Sequence, residues 1–276
     1  GENFDVLFSG LNGGLVSYRY AGKEMIEAIP MPNFWRAPTD NDNGNNTAER
    51  LRIWKTASQE FHPTVRVSQQ GTQTVVVINY TLPTGKHYTL TYTLSDNGRL
   101  PVAADYTPAS KADTPELPRV GLRFRLPAAM DGVTYFGRGP EENYIDRNHG
   151  TPIGRYQAKA NDLYYPYVRP QENGHHTDVR WLRLEDHLGN GLLIKADSVM
   201  EFNALRNSIE DFDQVKATNH HADEIHPRHF VEVCLDGFMQ GVGGYDSWGS
   251  RPAPQHQLPA DRAYHFGFSI QPVVRS

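Results

Sequence analysis

Residues 88–98 read Tyr-Thr-Leu-Thr-Tyr-Thr-Leu-Ser-Asp-Asn-Gly, and the fold class follows from this stretch. Tyrosine and leucine alternate with threonine at a period of two, which places the large apolar side chains on one face of a β-strand. The pair Asn97–Gly98 then predicts a tight hairpin turn, because both residue types tolerate the positive φ that such turns require. The stretch therefore predicts a half-buried strand followed by an antiparallel neighbour.

The same alternation recurs along the chain. Apolar residues alternate with polar or small ones at 122–126, 231–235 and 264–270, whereas residues 75–78 are apolar throughout, as in a strand covered on both faces. Only residues 48–57 reach helical length. With 24 glycines and 19 prolines separating the strands, the sequence predicts an all-β protein built from two large, stacked antiparallel sheets.

The composition argues against several classes of function. The 276 residues carry a formal net charge of −5 and contain no basic run, which argues against nucleic-acid binding. The single cysteine, Cys234, rules out an intramolecular disulfide and is predicted to be a buried, inert thiol. No apolar run is long enough to span a bilayer, so no membrane partner is expected.

The start of the sequence suggests an excised piece of a longer polypeptide. Gly1 stands where an initiator Met would be, and no signal peptide follows it. The proline-rich residues 107–118 are interpreted as an exposed loop, so residues 1–276 are expected to form a single β-sandwich domain. The protein is expected to be soluble, in the cytoplasm or the periplasm depending on what precedes Gly1.

A glycine-rich segment at 237–250 is the strongest candidate for a binding site. Its glycines allow close approach of a ligand, and it presents the aromatic residues Tyr245 and Trp248. Asp246 and Ser247 add hydrogen-bonding groups between them. Sugars need this combination, since their C–H faces stack on indole while their hydroxyls need polar partners. The alternative is that Trp248 fills the core, because tryptophan residues are highly buried on average.

Three acidic residues raise the possibility of glycoside hydrolysis within this chain, namely Glu141, Glu142 and Glu172. Retaining glycosidases need two carboxyl groups about 5 Å apart, and no spacing in the sequence pairs these. Residues 40–44 resemble half of a calcium loop, but the closing glutamate is missing. A turn in which side chains bond their own backbone is therefore predicted there.

The histidines form two groups in the sequence, one at 175–176 and one at 220–229. A zinc site would need three or four converging ligands. Adjacent residues in a strand point to opposite faces, and the second group lies in polar, loop-like sequence. No metal site is predicted from either group.

Five segments carry a family resemblance. Residues 34–44 (FWRAPTDNDNG), 135–147 (YFGRGPEENYIDR), 165–174 (YPYVRPQENG), 177–182 (TDVRWL) and 236–248 (DGFMQGVGGYDSW) resemble, in the same order, the C-terminal or small-chain region of bacterial β-galactosidases. These enzymes belong to glycoside hydrolase family 2. The resemblance covers essentially the whole chain.

The resemblance implies a large antiparallel super-sandwich of the galactose mutarotase type. It also implies that both catalytic glutamates lie in an upstream (β/α) barrel, so that no catalytic residue is expected here and the chain alone is expected to be inactive. Trp248 matches the tryptophan on which the galactose of a β-galactoside such as lactose stacks, with Asp246 and Ser247 beside it. The substrate would be shared with the barrel domain, in a parent enzyme that forms homo-oligomers.

The metal sites of the family are expected mainly in the barrel domain. Its magnesium ligands belong there, and a sodium site set by backbone carbonyls would fall near Arg169 and Pro170. Because Arg169 stands where some relatives carry an aromatic residue, no metal or other cofactor is assigned to this chain.

Two functions from other classes remain as alternatives. One is a mutarotase-type aldose epimerase, which would use a histidine and a glutamate on the concave face of the sandwich. The other is a free-standing carbohydrate-binding module, which would need more affinity than one tryptophan usually supplies.

Overall fold

The structure, a computed structural model, describes residues 1, 3–213, 220–246 and 248–275. Within these residues it is dominated by β-strands. The strands are β1 Phe4–Ser9, β2 Gly14–Tyr20, β3 Lys23–Glu24, β4 Ala28–Asn33, β5 Pro63–Gln70, β6 Gln73–Thr81, β7 His87–Leu94, β8 Leu100–Tyr106, β9 Arg119–Pro127, β10 Gly132–Arg138, β11 Ile153–Lys159, β12 His176–Glu185, β13 Gly191–Leu205, β14 Phe230–Met239 and β15 Tyr264–Val273.

The strands form one large sheet and one small sheet, both antiparallel. The small sheet has the order β1-β2-β3, and the main path of the large sheet has the order β11-β10-β12-β13-β15-β8-β7-β6-β5. Strand β13 is long enough to branch the sheet. Its residues 191–196 pair with β15, whereas residues 201–205 pair with β14, which continues to β9 and β4. This branch curls the sheet into two layers.

Direct contacts between β7 and β9 show that the two layers face each other. The Tyr88 hydroxyl on β7 donates a hydrogen bond to the carbonyl of Gly121 on β9 at 3.0 Å. The ring of Phe34, which follows β4, packs edge-on against Tyr88 with a centroid distance of 5.0 Å. One apolar core lies between the layers, so the predicted all-β antiparallel sandwich is confirmed.

The strand and turn predicted from residues 88–98 are confirmed in detail. Tyr88, Leu90 and Tyr92 are almost completely buried on one face of β7. Gly98 has a φ of +72° in the turn that leads to β8. The hairpin is locally encoded, since alternation and turn chemistry specify the same register.

Helices are few and short. They are α1 Asp40–Gly44, α2 Thr47–Arg50, α3 Arg52–Ala57 and α4 Ile209–Phe212, with 3-10 helices at Ala160–Leu163, Ala222–Glu224 and Pro254–His256. The helix predicted at 48–57 is present, but it is divided at Leu51. The turn predicted at 40–44 is wrong, because a capping box starts a helix there. The hydroxyl of Thr39 accepts from the Asp42 amide, and the Asp42 carboxylate accepts from the Thr39 amide.

Cys234 lies in the core, as predicted. Cys234 is 4% exposed, and burial raises the pKa of its thiol well above the usual range, as expected for an inert cysteine. Residues 107–118 connect β8 to β9 without regular structure. No helix in the described part of the chain has the length and apolar character needed to cross a membrane.

Candidate functional site

The segment after β14 places Trp248 at the surface. Trp248 is 82% exposed and Tyr245 is 97% exposed, so both aromatic residues of this loop lie in the solvent. The interpretation of Trp248 as a core residue is therefore wrong. An aromatic pair exposed to this degree leaves apolar area available for a ligand or for another domain.

The start of this loop is held by Asp146. The two carboxylate oxygens of Asp146 accept hydrogen bonds from the amides of Val242 and Gly243, at 3.1 and 2.7 Å. A β-carbon added at Gly241 would lie only 2.3 Å from Asp146 Oδ2, so a larger residue at 241 would displace the carboxylate. The glycines are needed because the loop backbone sits directly on an acceptor.

The buried guanidinium of Arg36 supports the same part of the loop. It donates to the carbonyls of Gln240 and Gly241 at 2.8 and 3.0 Å. Its other donors pair with both carboxylate oxygens of Asp42 at 3.0 Å. Arg36 thus joins helix α1 to the loop that carries Trp248.

The tip of the loop is closed by Asp246. Its Oδ1 atom accepts from the amides of Trp248 and Ser250, at 2.9 and 3.1 Å, and its carbonyl accepts from Asn41 Nδ2 at 3.1 Å. These backbone hydrogen bonds, led by the one from Trp248, lower the pKa of Asp246. Asp246 therefore orients the tip, and a contact between its carboxylate and a sugar stays a prediction. Ser247, the third predicted site residue, lies outside the described residues.

Two glycines allow helix α1 to touch the Trp248 backbone. A β-carbon on Gly44 would lie 1.9 Å from the Trp248 carbonyl oxygen. Gly249 has a φ of +138°, and a β-carbon there would lie 2.6 Å from the Gly44 carbonyl carbon. Asn41, Gly44 and Asp146 support the loop, although none of them was predicted as a site residue. The feature of the sequence that pointed to them is that they lie in the segments 34–44 and 135–147, which carry the family resemblance.

A buried network of charged and polar side chains joins strands β9, β13 and β14. Arg119 pairs with Asp236 at 2.5 and 3.1 Å, lies 3.7 Å from Glu172, and donates to Asn203 at 2.9 Å. Arg119 and Asp236 are fully buried. Such a network orders the segments that cover the layer, and each charged member depends on the others.

His175 and Glu201 belong to this network. His175 Nε2 lies 2.9 Å from Glu201 Oε2, and His175 Nδ1 lies 2.8 Å from Asn203 Oδ1. Desolvation raises the pKa of Glu201 to about 8 and lowers the pKa of His175. The pair is therefore uncharged at neutral pH, and the carboxyl group donates to the imidazole.

The geometry around this pair does not favour the epimerase hypothesis. His175 is fully buried and is covered by the ring of Tyr144, whose centroid lies 5.3 Å away. The pocket beside Arg119 and Asn203 has a volume of about 20 Å³, which suits little more than one water molecule. A sugar ring cannot reach the histidine without displacing the covering segments.

The three acidic residues proposed from sequence are not arranged as a catalytic pair. Glu142 accepts from the Tyr167 hydroxyl, from Arg147 at 2.8 Å and from the Gly174 amide at 2.6 Å. Glu172 is 6% exposed and accepts from Asn203 at 2.8 Å, whereas Glu141 is exposed. Both buried carboxylates are occupied by structural contacts.

The histidine groups do not converge on a metal. The ring of His176 stacks on Phe202, whereas the ring of His175 stacks on Tyr144. Across the described ranges, no three His, Cys, Asp or Glu side chains are grouped so that they could hold a metal ion. The carbonyl of Arg169 accepts from Gln171 at 3.1 Å, so the turn predicted near a family sodium site is braced by a side chain.

Fold and sequence comparisons place the chain in a known class. The fold resembles that of a galactose mutarotase related enzyme from Lactobacillus acidophilus, with a TM-score of 0.50 and 10% identity, over 99% of this chain and 96% of that one. The class is thus an antiparallel sandwich of the galactose mutarotase type. Residues 1–270 match the family model described as Beta galactosidase small chain, and the chain belongs to this family.

Curated relatives agree with this family. The chain is 36% identical over 279 residues to a β-galactosidase of Priestia megaterium, covering 99% of this chain and 26% of that protein. It is 32% identical over 304 residues to a β-galactosidase small subunit of Latilactobacillus sakei, covering 98% of this chain and 93% of the relative. The chain therefore spans about a quarter of the length of the Priestia protein and nearly all of a small subunit.

Proposed function

We propose that this chain forms one wall of the galactose pocket of a β-galactosidase, with Trp248 as the surface on which the sugar stacks. The observation that carries the proposal is an indole that is 82% exposed on a loop whose start is held by Asp146 and whose tip is held by Asn41. An exposed tryptophan on a loose loop would lose much of its binding energy to ordering. Here the ordering is already present before the ligand arrives.

The remaining parts of the active site belong, in this proposal, to polypeptide beyond these residues. The chain covers 26% of the Priestia relative, which leaves ample room for a catalytic barrel of family 2 glycoside hydrolases. The name of the Latilactobacillus relative supports a small chain that acts with a larger partner. The structural contacts of Glu142 and Glu172 support the same division, because neither carboxylate is free for catalysis.

The isolated chain should therefore not hydrolyse a nitrophenyl β-galactoside. Turnover by rigorously purified chain that is lost on changing Glu141, Glu142 or Glu172 would place the catalysis here instead. Free galactose should bind at the Trp248 loop of the isolated chain only weakly, in the millimolar range, because one wall supplies few polar contacts.

Substitution in the assembled β-galactosidase separates a stacking role from other roles. Trp248→Ala should lower kcat/KM by a factor equivalent to about 1–3 kcal/mol, the size of a large aromatic contact. The melting temperature should hardly change, since an exposed side chain contributes little to the core. Tyr245→Ala is the matched control, because this residue is in the same loop and even more exposed.

Equal losses of kcat/KM in Trp248→Ala and Tyr245→Ala would indicate that the loop mainly contacts another domain. An unchanged kcat/KM in Trp248→Ala would contradict the proposal directly. Measurement of mutarotation by optical rotation tests the epimerase alternative, and the burial of His175 predicts no activity.

A further inference from the structure

A cavity lies between helix α1 and the segments at 144–147 and 167–172, next to the residues that hold the Trp248 loop. Its volume is about 170 Å³, roughly ten times what a single water needs. This volume suits a small polar molecule rather than a large apolar one. Its lining includes Asp40, Asn41, Tyr144, Arg147, Tyr167 and Glu172.

Two polar atoms of the lining lack partners. Tyr144 is 2% exposed, and its hydroxyl makes no hydrogen bond within the described residues. The Oδ1 atom of Asn41 is likewise buried and without a partner there. A buried polar group without a partner is destabilising, so such groups are usually satisfied by a ligand or by water.

The rings that line the cavity are held in place. Tyr144 is stacked on His175 with a centroid distance of 5.3 Å and an interplanar angle of 21°. The Tyr167 hydroxyl is fixed by Glu142 and lies 3.2 Å from Arg147 Nη2. The cavity is thus lined by ordered tyrosine side chains beside unsatisfied polar atoms, and the hydroxyl groups of a sugar need polar partners of this kind.

The charged side chains around the cavity each have a hydrogen-bond partner within the protein. Arg147 Nη2 pairs with Glu142 at 2.8 Å, which neutralises much of its charge. Asp40 Oδ2 accepts from Gln171 at 3.2 Å. Glu172, whose pKa is raised by burial, accepts from Asn203. A neutral ligand with several hydroxyl groups fits this lining better than a phosphate or a cation.

We propose that this cavity is a second saccharide site, which binds one neutral pyranose. Hydroxyl groups of the sugar would hydrogen-bond to the Tyr144 hydroxyl and to Asn41 Oδ1. Asn41 also donates through Nδ2 to the Asp246 carbonyl, so the site shares a residue with the loop of Trp248. Nothing in this inference depends on the role proposed for Trp248.

Calorimetric titration of the 276-residue chain with galactose, and separately with glucose, tests the proposal. The wild-type chain and Trp248→Ala should both bind a pyranose in the millimolar range. Tyr144→Phe should weaken this binding about fivefold, the value of one hydrogen bond, while keeping the ring. Tyr164→Phe is the matched control, because Tyr164 also carries a buried hydroxyl without a partner in the described chain but does not line the cavity.

Pyranose binding that is weakened in Tyr144→Phe and retained in both Tyr164→Phe and Trp248→Ala supports the second site. Absence of pyranose binding to the Trp248→Ala chain would overturn it, since any sugar bound by the wild type would then sit on the Trp248 loop. Equal affinity of wild type and Tyr144→Phe, or binding of inorganic phosphate without binding of either sugar, would also overturn it. The circular dichroism spectrum of each variant checks that it has folded.

Discussion

Replacement of Glu201 by glutamine should stabilise the protein at neutral pH and not in acid. The carboxyl group has an ordinary pKa of 4.5 and a pKa of about 8 in the folded chain, because it is buried. Between these values the folded state holds a proton that the unfolded chain has released. Below pH 4.5 the group is protonated in both states, and its contribution to the free energy of unfolding is fully present. This contribution is lost as the pH rises towards 8.

The magnitude follows from the two pKa values. Each pH unit between them removes about 1.4 kcal/mol, so the loss at pH 7 is about 3 kcal/mol. Glutamine is not titratable and can donate to His175 in the same way as the protonated acid. An unfolding entropy of about 2.1 cal/mol/K per residue, taken over 276 residues, converts 3 kcal/mol to about 5 °C.

Thermal unfolding of both proteins across this pH range measures the effect. The difference in melting temperature between Glu201→Gln and wild type should increase steadily with pH. Glu210→Gln is a control that should destabilise the protein at neutral pH. Burial raises the pKa of this half-exposed carboxyl, but the hydrogen bond from Arg123 outweighs burial, and the pKa is lowered. A Glu201→Gln variant that is less stable than wild type at every pH would show that Glu201 is ionised, and would refute the uncharged pair.

Three further predictions concern the network, the loop and the thiol. Arg119→Met should lower stability by about 3–5 kcal/mol, because two buried carboxylates lose their cation, whereas exposed Arg66→Met should have almost no effect in the same melting experiment. Asp146→Ala should speed amide hydrogen exchange at Val242 and Gly243, while an unchanged exchange rate would argue against Asp146 as their anchor. Cys234 should react with a thiol reagent only after denaturation; reaction in the native state would contradict its burial.

The fold was predictable because its main signals are local. The alternation in β7 and the turn at Asn97–Gly98 each specify an antiparallel neighbour, and both are as expected. Helix α1 was missed because asparagine, aspartate and glycine disfavour helices. Its capping box between Thr39 and Asp42 outweighs that tendency. Residue propensity alone does not reveal such a cap.

The site was predictable in part. Trp248 could be singled out from its glycine-rich setting, but its exposure could not, since tryptophan is usually buried. The contacts that hold its loop join residues about one hundred to two hundred positions apart, such as Asp146 with Gly243 and Arg36 with Gln240. These pairings depend on how the layers meet, which no local pattern specifies.

The most direct test of the proposed stacking role is fluorine NMR of the assembled β-galactosidase labelled with fluorotryptophan. Signals are assigned by single replacements of the four tryptophans by phenylalanine. Saturating galactose should shift the Trp248 signal strongly and leave those of buried Trp35 and Trp54 in place. A Trp248 signal that does not move when the active site is saturated would contradict the claim that the sugar stacks on this residue.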